Sequence, residues 1–261
     1  MEVTFFKYQG TGNDFIMIDN RAGHFRPDRK RIASLCSRRT GIGADGLILL
    51  EDHPGYDFSM RYFNADGGES TMCGNGGRCV IAFARFLEVC GEQTRFLAVD
   101  GEHTGTIRDG VVRLKMNDVT EIRETGDGWF LDTGSPHYVL FREDVEHAEV
   151  FREGRELRYS DLFSPEGTNV NFTEVIDPQT IFNRTYERGV EDETLSCGTG
   201  SIAAALTLAH TRQNVISPVT VLTRGGRLKV WFRKEKEGSF REIYLEGPAQ
   251  QVFRGAFEIR Q

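Results

Sequence analysis

The chain has 261 residues, a formal net charge of −7 at pH 7, 39% hydrophobic residues and 27% charged residues. This composition is typical of a globular protein with one large core or two ordinary ones, and the negative charge argues against a nucleic-acid or anionic-membrane partner. No apolar run approaches the roughly 20 residues needed to span a bilayer. The chain starts in a strand-like pattern without a leader, so a cytoplasmic location is expected.

Short apolar or alternating runs predict β-strands along the whole chain, and helical patterns are fewer. The strands are expected over residues 3–8, 15–19, 47–50, 58–63, 96–99, 111–116, 129–131, 138–141, 170–175, 181–186, 219–222, 228–232 and 243–245. The helices are expected over 27–37, 75–89 and 200–209. The fold class is therefore mixed, α/β or α+β, with more strand than helix.

The two halves of the chain repeat each other at offsets of 122–124 residues. Gly43-Ala44-Asp45-Gly46 recurs as Gly167-Thr168-Asn169-Val170, and Phe63-Asn64 corresponds to Tyr186-Glu187. Matches in the same order at a nearly constant offset indicate two copies of one unit. We expect an N-terminal domain over 1–117, with a last strand at about 250–261 packed back on it. A second domain is expected over 118–249, and the polar segment 117–128 is expected to form the boundary between the two units.

Two of the five cysteines occupy equivalent places in this repeat. Cys73 and Cys197 lie 124 residues apart, and each precedes a small-residue, apolar stretch that is typical of a helix. A thiol at a helix N-terminus lies beside unpaired backbone N–H groups and in the helix dipole, so it ionises more readily than a free thiol. Two such thiols, one per half, suggest that both face one substrate. The other three are expected to be buried core residues: Cys36, Cys79 and Cys90.

Two thiols of this kind suit the inversion of a carbon that carries one hydrogen. Inversion needs a base on one face and an acid on the other, and acid–base groups work best with pKa values near the working pH. The backbone N–H groups of Gly74, Asn75, Gly198 and Thr199 are expected to hold a substrate carboxylate. They would also stabilise the charge that spreads into it from the α-carbon. A two-fold relation of the halves would place both thiols at an interdomain cleft.

An ordered set of motifs resembles the diaminopimelate epimerase family over the whole chain. The motifs are Gly12-Asn13-Asp14-Phe15, Asn64-Ala65-Asp66-Gly67, Cys73-Gly74-Asn75-Gly76, Gly134-Ser135-Pro136-His137, Asn169-Val170-Asn171-Phe172, Glu187-Arg188-Gly189 and Cys197-Gly198-Thr199-Gly200. The resemblance implies two pseudo-symmetric domains, each a barrel-like, mostly antiparallel sheet around a central helix. It also implies an isomerase that uses no cofactor or metal and interconverts LL- and meso-diaminopimelate, for lysine and peptidoglycan precursors.

The resemblance also assigns the candidate site residues. Cys73 and Cys197 correspond to the acid and base, which exchange roles with reaction direction, and His137 and Glu187 to the groups that help set their protonation. Substrate contacts are implied for Asn13, Asn64, Gly74, Asn75, Asn169, Glu187, Arg188, Gly198 and Thr199. Ser135 stands where the family usually has asparagine, which leaves one contact to the non-reacting end of the substrate open. A homodimer is implied by the family alone.

Two alternatives stay open at this point. The same fold would serve a racemase of another amino acid, such as proline or histidine, although Arg188 and the asparagines favour a substrate with a second charged head. A different class is a thiol–disulfide redox protein that uses Cys73 and Cys197 as its pair. In that case the backbone N–H groups that are expected to hold a carboxylate in each half would have no function. Exchange of the α-hydrogen with solvent would distinguish the epimerase or racemase from the redox protein.

Overall fold

The computed structural model describes residues 1–236 and 238–259. These residues fold mostly into β-strands, with four α-helices and one short 3₁₀ helix. The chain divides into two compact units, the first made of Met1–Leu114 with the chain from Gly247 onward, and the second of Lys115–Glu246. The mixed class predicted from the sequence is confirmed.

The first unit begins with a pair of strands and has one helix at its centre. Its strands are β1 (Glu2–Gly10), β2 (Asn13–Asp19), β3 (Gly46–Glu51), β4 (Phe58–Asn64), β5 (Glu69–Ser70), β6 (Gln93–Ala98), β7 (Gly101–Arg108) and β8 (Val111–Lys115), whose last residue opens the second unit. Its helices are α1 (Arg29–Cys36) and α2 (Gly74–Phe86). The last strand of the chain, β18 (Gln250–Glu258), pairs antiparallel with β1. Residues 260 and 261 of the strand predicted there lie outside the described residues.

The second unit repeats this order of elements. Its strands are β9 (Arg123–Thr125), β10 (Gly128–Asp132), β11 (Pro136–Phe141), β12 (Asn169–Asp177), β13 (Thr180–Glu187), β14 (Asp192–Thr194), β15 (Val219–Thr223), β16 (Gly226–Lys234) and β17 (Phe240–Pro248), which runs on into the first unit. Its helices are α3 (Val150–Arg158), preceded by the 3₁₀ turn Val145–His147, and α4 (Gly198–Thr211).

The strand pairing is also repeated between the units. In the first, β1–β2, β3–β4, β4–β5, β6–β7 and β7–β8 are antiparallel, whereas β2–β3 and β4–β6 are parallel. In the second, β10–β11, β12–β13, β13–β14, β15–β16 and β16–β17 are antiparallel, and β11–β12 and β13–β15 are parallel. The mostly antiparallel sheets predicted above are therefore present in both units, with the same two parallel exceptions.

A buried helix lies at the centre of each unit. Helix α2 contacts β1, β2, β3, β7 and β18, and α4 contacts β10, β11, β12, β13, β15 and β16. A helix that touches so many strands of one sheet must be wrapped by it. The run Ala203-Ala204-Ala205 of α4 is fully buried, and its small side chains let the surrounding strands approach closely. The central helix therefore has a fixed position, and so does the residue that caps it.

Some elements were not predicted from the sequence. Every predicted strand and helix overlaps an observed one, but α3 and the strands β5, β7, β9 and β14 have no counterpart in the prediction. The polar segment 117–128 lies within the second unit, because Val119 bridges to Phe240 and the Met116 N–H donates to the Ile243 carbonyl. The three non-motif cysteines are buried, as predicted.

Across residues 1–236 and 238–259, we find no helix that combines the length and the apolar character required to cross a bilayer.

Candidate active site

Both predicted thiols cap the buried central helix of their unit. The Cys73 sulfur accepts a hydrogen bond from the Gly76 N–H at 3.1 Å, and the Cys197 sulfur accepts one from the Gly200 N–H at 3.3 Å. Each sulfur therefore lies in the positive end of the helix dipole, where an anion is stabilised. Cys197 is only 7% exposed, whereas Cys73 is partly exposed.

Three predicted residues, Cys73, Gly74 and Asn75, form the N-terminus of α2, and a fourth, Asn13, contacts it. The Asn75 side-chain nitrogen donates to Asn13 Oδ1 at 3.3 Å, and Asn13 Nδ2 donates to Asp45 Oδ2 at 2.5 Å. These bonds fix which end of the Asn13 amide faces which partner. Asp45 belongs to the sequence repeat but was not predicted as a site residue. In the structure its carboxylate orients the Asn13 side chain.

Asn64 reaches the same end of the sheet by strand register. Gly46 of β3 pairs with Phe15 of β2 on one side and with Asn64 of β4 on the other. Asn64 is exposed there. It lies across β3 from Phe15, which is two residues along β2 from Asn13. The structure thus brings Asn13, Asn64 and the Cys73 cap to one end of the first unit.

A charged cluster behind Asn13 holds this end of the unit together. Asp14 forms ion pairs with Lys7 at 2.7 Å and with Arg38 at 2.7 Å, and Arg38 also pairs with Asp45 at 2.5 Å. The Lys7 ammonium, which is buried, donates as well to the Gly43 carbonyl. A buried lysine is stable only when such partners satisfy it, so the cluster is a fixed support for the loop that carries Asp45.

This cluster predicts an acid-sensitive contribution to stability. Burial raises the pKa of Asp14, but its hydrogen bonds to Arg38 and Lys7 lower the pKa by more, from 3.8 to about 2. Because the folded pKa lies below the unfolded one, the contribution is present above about pH 4 and is lost as the pH falls through about 2. Between about pH 5 and pH 2, wild type should lose about 1–2 kcal/mol more unfolding free energy than Asp14→Asn. Urea unfolding of both proteins measures this, and parallel pH profiles would contradict it.

The second unit gathers its predicted residues around His137. This ring is fully buried, and its Nε2 lies 3.0 Å from the hydroxyl of Thr199 and 3.0 Å from that of Ser135. The Thr199 hydroxyl is in turn 3.4 Å from the Cys197 sulfur. Burial lowers the pKa of His137 to about 3, so the ring is neutral near pH 7. His137 therefore reaches Cys197 through Thr199.

Glu187 lies beside Cys197 and influences its protonation. Burial raises the pKa of the Cys197 thiol well above its ordinary value, and the neighbouring Glu187 carboxylate raises it further. Hydrogen bonds from Thr199 and from the Gly200 N–H act in the opposite direction. Glu187 also accepts a hydrogen bond from Thr194. The sulfur thus has groups that favour each of its two protonation states.

Asn169 joins the Ser135 segment to the Arg188 loop. Its side-chain nitrogen donates to the Pro136 carbonyl at 2.8 Å and to Ser135 Oγ at 3.3 Å, and its oxygen accepts from the Arg188 N–H at 2.8 Å. The Arg188 guanidinium donates to the Glu166 carbonyl at 3.3 Å. The Ser135 hydroxyl, at the position where the resemblance leads one to expect asparagine, is thus a member of the polar cluster around His137.

Two residues near the thiols were not predicted as part of the site. Arg78 of α2 is fully buried and donates to Thr11 Oγ1 and to the carbonyls of Gly74 and Pro248. Burial lowers the pKa of Arg78 to about 10. Arg78 stands between Gly77 and Cys79 in a run of small and apolar residues, which is a signal that the sequence does offer.

The other residue is Asn171, which contacts the His137 ring. Its side-chain nitrogen lies 3.0 Å from His137 Nδ1. Strand alternation places Asn171 on the same face of β12 as Asn169, so the motif itself contained this signal. A Cβ on Gly200 would come within 2.4 Å of the Asn171 oxygen, which explains why glycine stands at that position.

Within the described parts of the chain, 1–236 and 238–259, no group of three or more His, Cys, Asp or Glu side chains is arranged to hold a metal ion.

The sequence is similar to known proteins over nearly all of its length. The family model for diaminopimelate epimerase matches residues 5–123 and 129–252. The chain is 49% identical over 250 residues to a diaminopimelate epimerase of Flavobacterium psychrophilum, covering 95% of this chain and 97% of that protein. It is 44% identical over 262 residues to a diaminopimelate epimerase of Chlorobaculum tepidum, covering 96% and 99%.

Solved structures with the same fold are more distant in sequence. A phenazine biosynthesis protein of the PhzF family from Bacillus anthracis superposes with a TM-score of 0.77 at 14% identity, covering 99% of this chain and all of that one. A probable proline racemase from Agrobacterium radiobacter superposes with a TM-score of 0.72 at 16% identity, covering 99% and 93%. These structural similarities establish the fold. The family model and the two relatives above establish the family: the chain belongs to the diaminopimelate epimerase family.

Proposed function

We propose that this protein is an isomerase that interconverts LL-2,6-diaminopimelate and meso-diaminopimelate without a cofactor. The observation that carries the proposal is the pair of helix-capping cysteines, Cys73 and Cys197, in a chain 49% identical to a diaminopimelate epimerase. The reaction would serve lysine and peptidoglycan precursor synthesis, with a cytoplasmic location.

The proposed mechanism uses one sulfur as the base and the other as the acid. A thiolate removes the α-hydrogen from one face of the carbon, and the other thiol delivers a proton to the opposite face. In the reverse direction the two sulfurs exchange roles. This requires each sulfur to be stable both as thiol and as thiolate, and the N–H donors to Cys73 and Cys197 support the charged form.

The helix N-termini supply the remaining part of the mechanism. Backbone N–H groups at Gly74 and Asn75, and at Gly198 and Thr199, are proposed to hold the carboxylate of the reacting centre. As the α-carbon loses its proton, negative charge spreads into that carboxylate, and fixed donors stabilise it without reorganising. His137 and Glu187 are proposed to adjust the protonation of Cys197, because one reaches it through Thr199 and the other lies beside it.

The other predicted residues are proposed to select a substrate with two amino-acid heads. Arg188 offers a planar fork that suits a second carboxylate. Asn13, Asn64 and Asn169 supply both donors and acceptors for the ammonium and carboxylate groups. Asn13 and Asn169 are already fixed by protein partners, so they would meet the substrate in a set orientation.

A racemase of a single-headed amino acid is the second candidate, since a probable proline racemase shares the fold. Initial rates with LL-diaminopimelate, L-proline and L-histidine at equal concentration separate the two. We expect turnover of LL-diaminopimelate and rates at least about 10³-fold lower with the others, because a site built for a second charged head leaves its polar groups unpaired without it. Racemisation of proline or histidine without turnover of LL-diaminopimelate would overturn the proposal.

We also propose a homodimer, which the family resemblance implies. Val252 and Phe253 of β18 are large apolar side chains that are 58% and 46% exposed, so this strand offers apolar surface to a partner. Sedimentation at twice the mass of one chain is the expected result.

A further inference from the structure

The side chains behind His137 form a continuous line of hydrogen bonds in the second unit. Thr173 Oγ1 lies 2.8 Å from Asn183 Oδ1, and Asn183 Nδ2 lies 3.1 Å from Thr185 Oγ1. Thr185 Oγ1 lies 2.9 Å from Asn171 Oδ1. All four side chains are at most 2% exposed, so water does not compete for these bonds. The line continues through His137 and Thr199 to the Cys197 sulfur.

One contact fixes the direction of every bond in this line. The Asn171 side-chain nitrogen also lies 3.1 Å from the Tyr138 carbonyl oxygen, which can only accept. The group facing Tyr138 must therefore be the amide NH₂, and the opposite end of Asn171 must be the oxygen. That oxygen accepts from Thr185, so the Thr185 hydroxyl accepts in turn from the Asn183 amide.

The same contact determines the tautomer of His137. The amide nitrogen that donates to Tyr138 uses its second hydrogen on His137 Nδ1, 3.0 Å away. Nδ1 must then carry a lone pair, and in a neutral ring the proton must be on Nε2. Nε2–H faces the hydroxyls of Thr199 and Ser135, so it donates towards them. The Thr199 hydroxyl is left with its own hydrogen for the Cys197 sulfur at 3.4 Å.

We infer that Asn171 is a positioning residue that holds His137 as its Nε2–H tautomer, so that a one-way series of donors ends on the Cys197 sulfur. The tautomer stands on geometry alone, whereas its effect on turnover rests on the proposed function. In this arrangement His137 does not take the proton of Cys197. It acts as a donor that stabilises the thiolate through Thr199, and donors in series strengthen one another.

The direct test is the ¹⁵N spectrum of the histidine rings in the wild-type protein. The His137 signals are assigned as those missing from His137→Gln. We expect Nδ1 in the range of an unprotonated ring nitrogen and Nε2 in the range of a protonated one, unchanged from about pH 6 to pH 8. A proton on Nδ1 in the wild type would overturn the inference, and this measurement does not depend on enzymatic activity.

The variant Asn171→Asp tests whether Asn171 determines the tautomer of His137. An aspartate at this position accepts where asparagine donates, so a proton should move onto Nδ1. The matched control is Asn183→Asp, which places the same carboxylate in the same buried line without touching His137, so Nδ1 should stay unprotonated. An unprotonated Nδ1 in Asn171→Asp would overturn the assignment of Asn171.

The effect on turnover is measured on the same two variants. Loss of a donor to a charged sulfur should lower kcat of Asn171→Asp by about 10- to 100-fold relative to Asn183→Asp, with a smaller change in KM. Equal kcat values for the two variants, with the tautomer change seen, would overturn the link to Cys197. Lack of turnover by the wild type would overturn the proposed function and leave the tautomer untouched.

Discussion

Cys73→Ser and Cys197→Ser are each expected to lower the turnover of LL-diaminopimelate by at least about 10³-fold, within the range found for loss of a general acid or base. The serine alcohol does not ionise near neutral pH, so it cannot act as the base in one direction. For the same reason it is a poor acid and cannot deliver the proton in the other direction. Loss should therefore be seen in both directions for both variants.

Serine is the informative replacement because it preserves the helix cap. In the wild type each sulfur accepts a hydrogen bond from the backbone N–H three residues on. A serine oxygen is a better acceptor of the same bond. The melting temperature should thus stay close to that of wild type while activity falls. Cys90→Ser serves as a control, since Cys90 is a buried residue outside the site and its replacement should leave kcat within a few-fold. Either single motif variant with a tenth of wild-type turnover would contradict the two-thiol mechanism.

Glu193→Leu is expected to reduce the free energy of unfolding by about 3–5 kcal/mol, the usual cost of leaving one partner of a buried ion pair alone. Arg184 is 5% exposed and binds both oxygens of Glu193 at 2.6 Å. Its remaining nitrogen donates to the carbonyls of Val145, Glu146 and Ala148, so the guanidinium cannot turn to water. Urea unfolding measures the loss.

The internal repeat supplies a matched control for this prediction. Arg61 and Glu69 occupy the equivalent strands of the first unit and also form a two-point pair, at 2.8 and 3.0 Å. Their side chains are 36% and 39% exposed, so water screens the pair. Glu69→Leu should therefore cost only about 0–1 kcal/mol. Equal losses for Glu193→Leu and Glu69→Leu would show that burial does not set the strength of these pairs.

Local patterns in the sequence were sufficient to predict the thiol caps and most strands. The cap at Cys73 depends on the glycines of the first helical turn and on the apolar run at 80–84, and both lie close to it in the chain. The repeat then made Cys197 its equivalent. Family membership agrees with the resemblance stated from the motifs, all of which lie within the residues that the family model matches.

Elements with few apolar residues escaped prediction. Helix α3 buries only Val150 and Gly154, and most of its other residues are charged, so it contains no apolar run that would mark a helix in the sequence. Strand β7 contains two glycines and little apolar surface. The repeat itself held the missing signal, because α3 takes the place in the second unit that α1 takes in the first.

Contacts set by strand register were beyond local patterns. The bond between Asn171 and His137 depends on the parallel pairing of β11 with β12, which brings together residues 34 positions apart. Asp45 orients Asn13 through the equivalent parallel pairing of β2 with β3. The sequence named most residues of the candidate site, but which of them hold the others in place follows only from the register of the sheets.

A time course with LL-diaminopimelate in deuterium oxide tests the central proposal most directly. The base that removes the substrate hydrogen and the acid that delivers a solvent deuteron are different groups in a two-thiol mechanism. Early in the reaction, meso product should therefore carry one deuterium at the inverted carbon while the remaining substrate stays unlabelled, with no cofactor added. Substrate that gains deuterium as fast as product forms would indicate a single base, and would contradict the assignment of Cys73 and Cys197 as an acid–base pair.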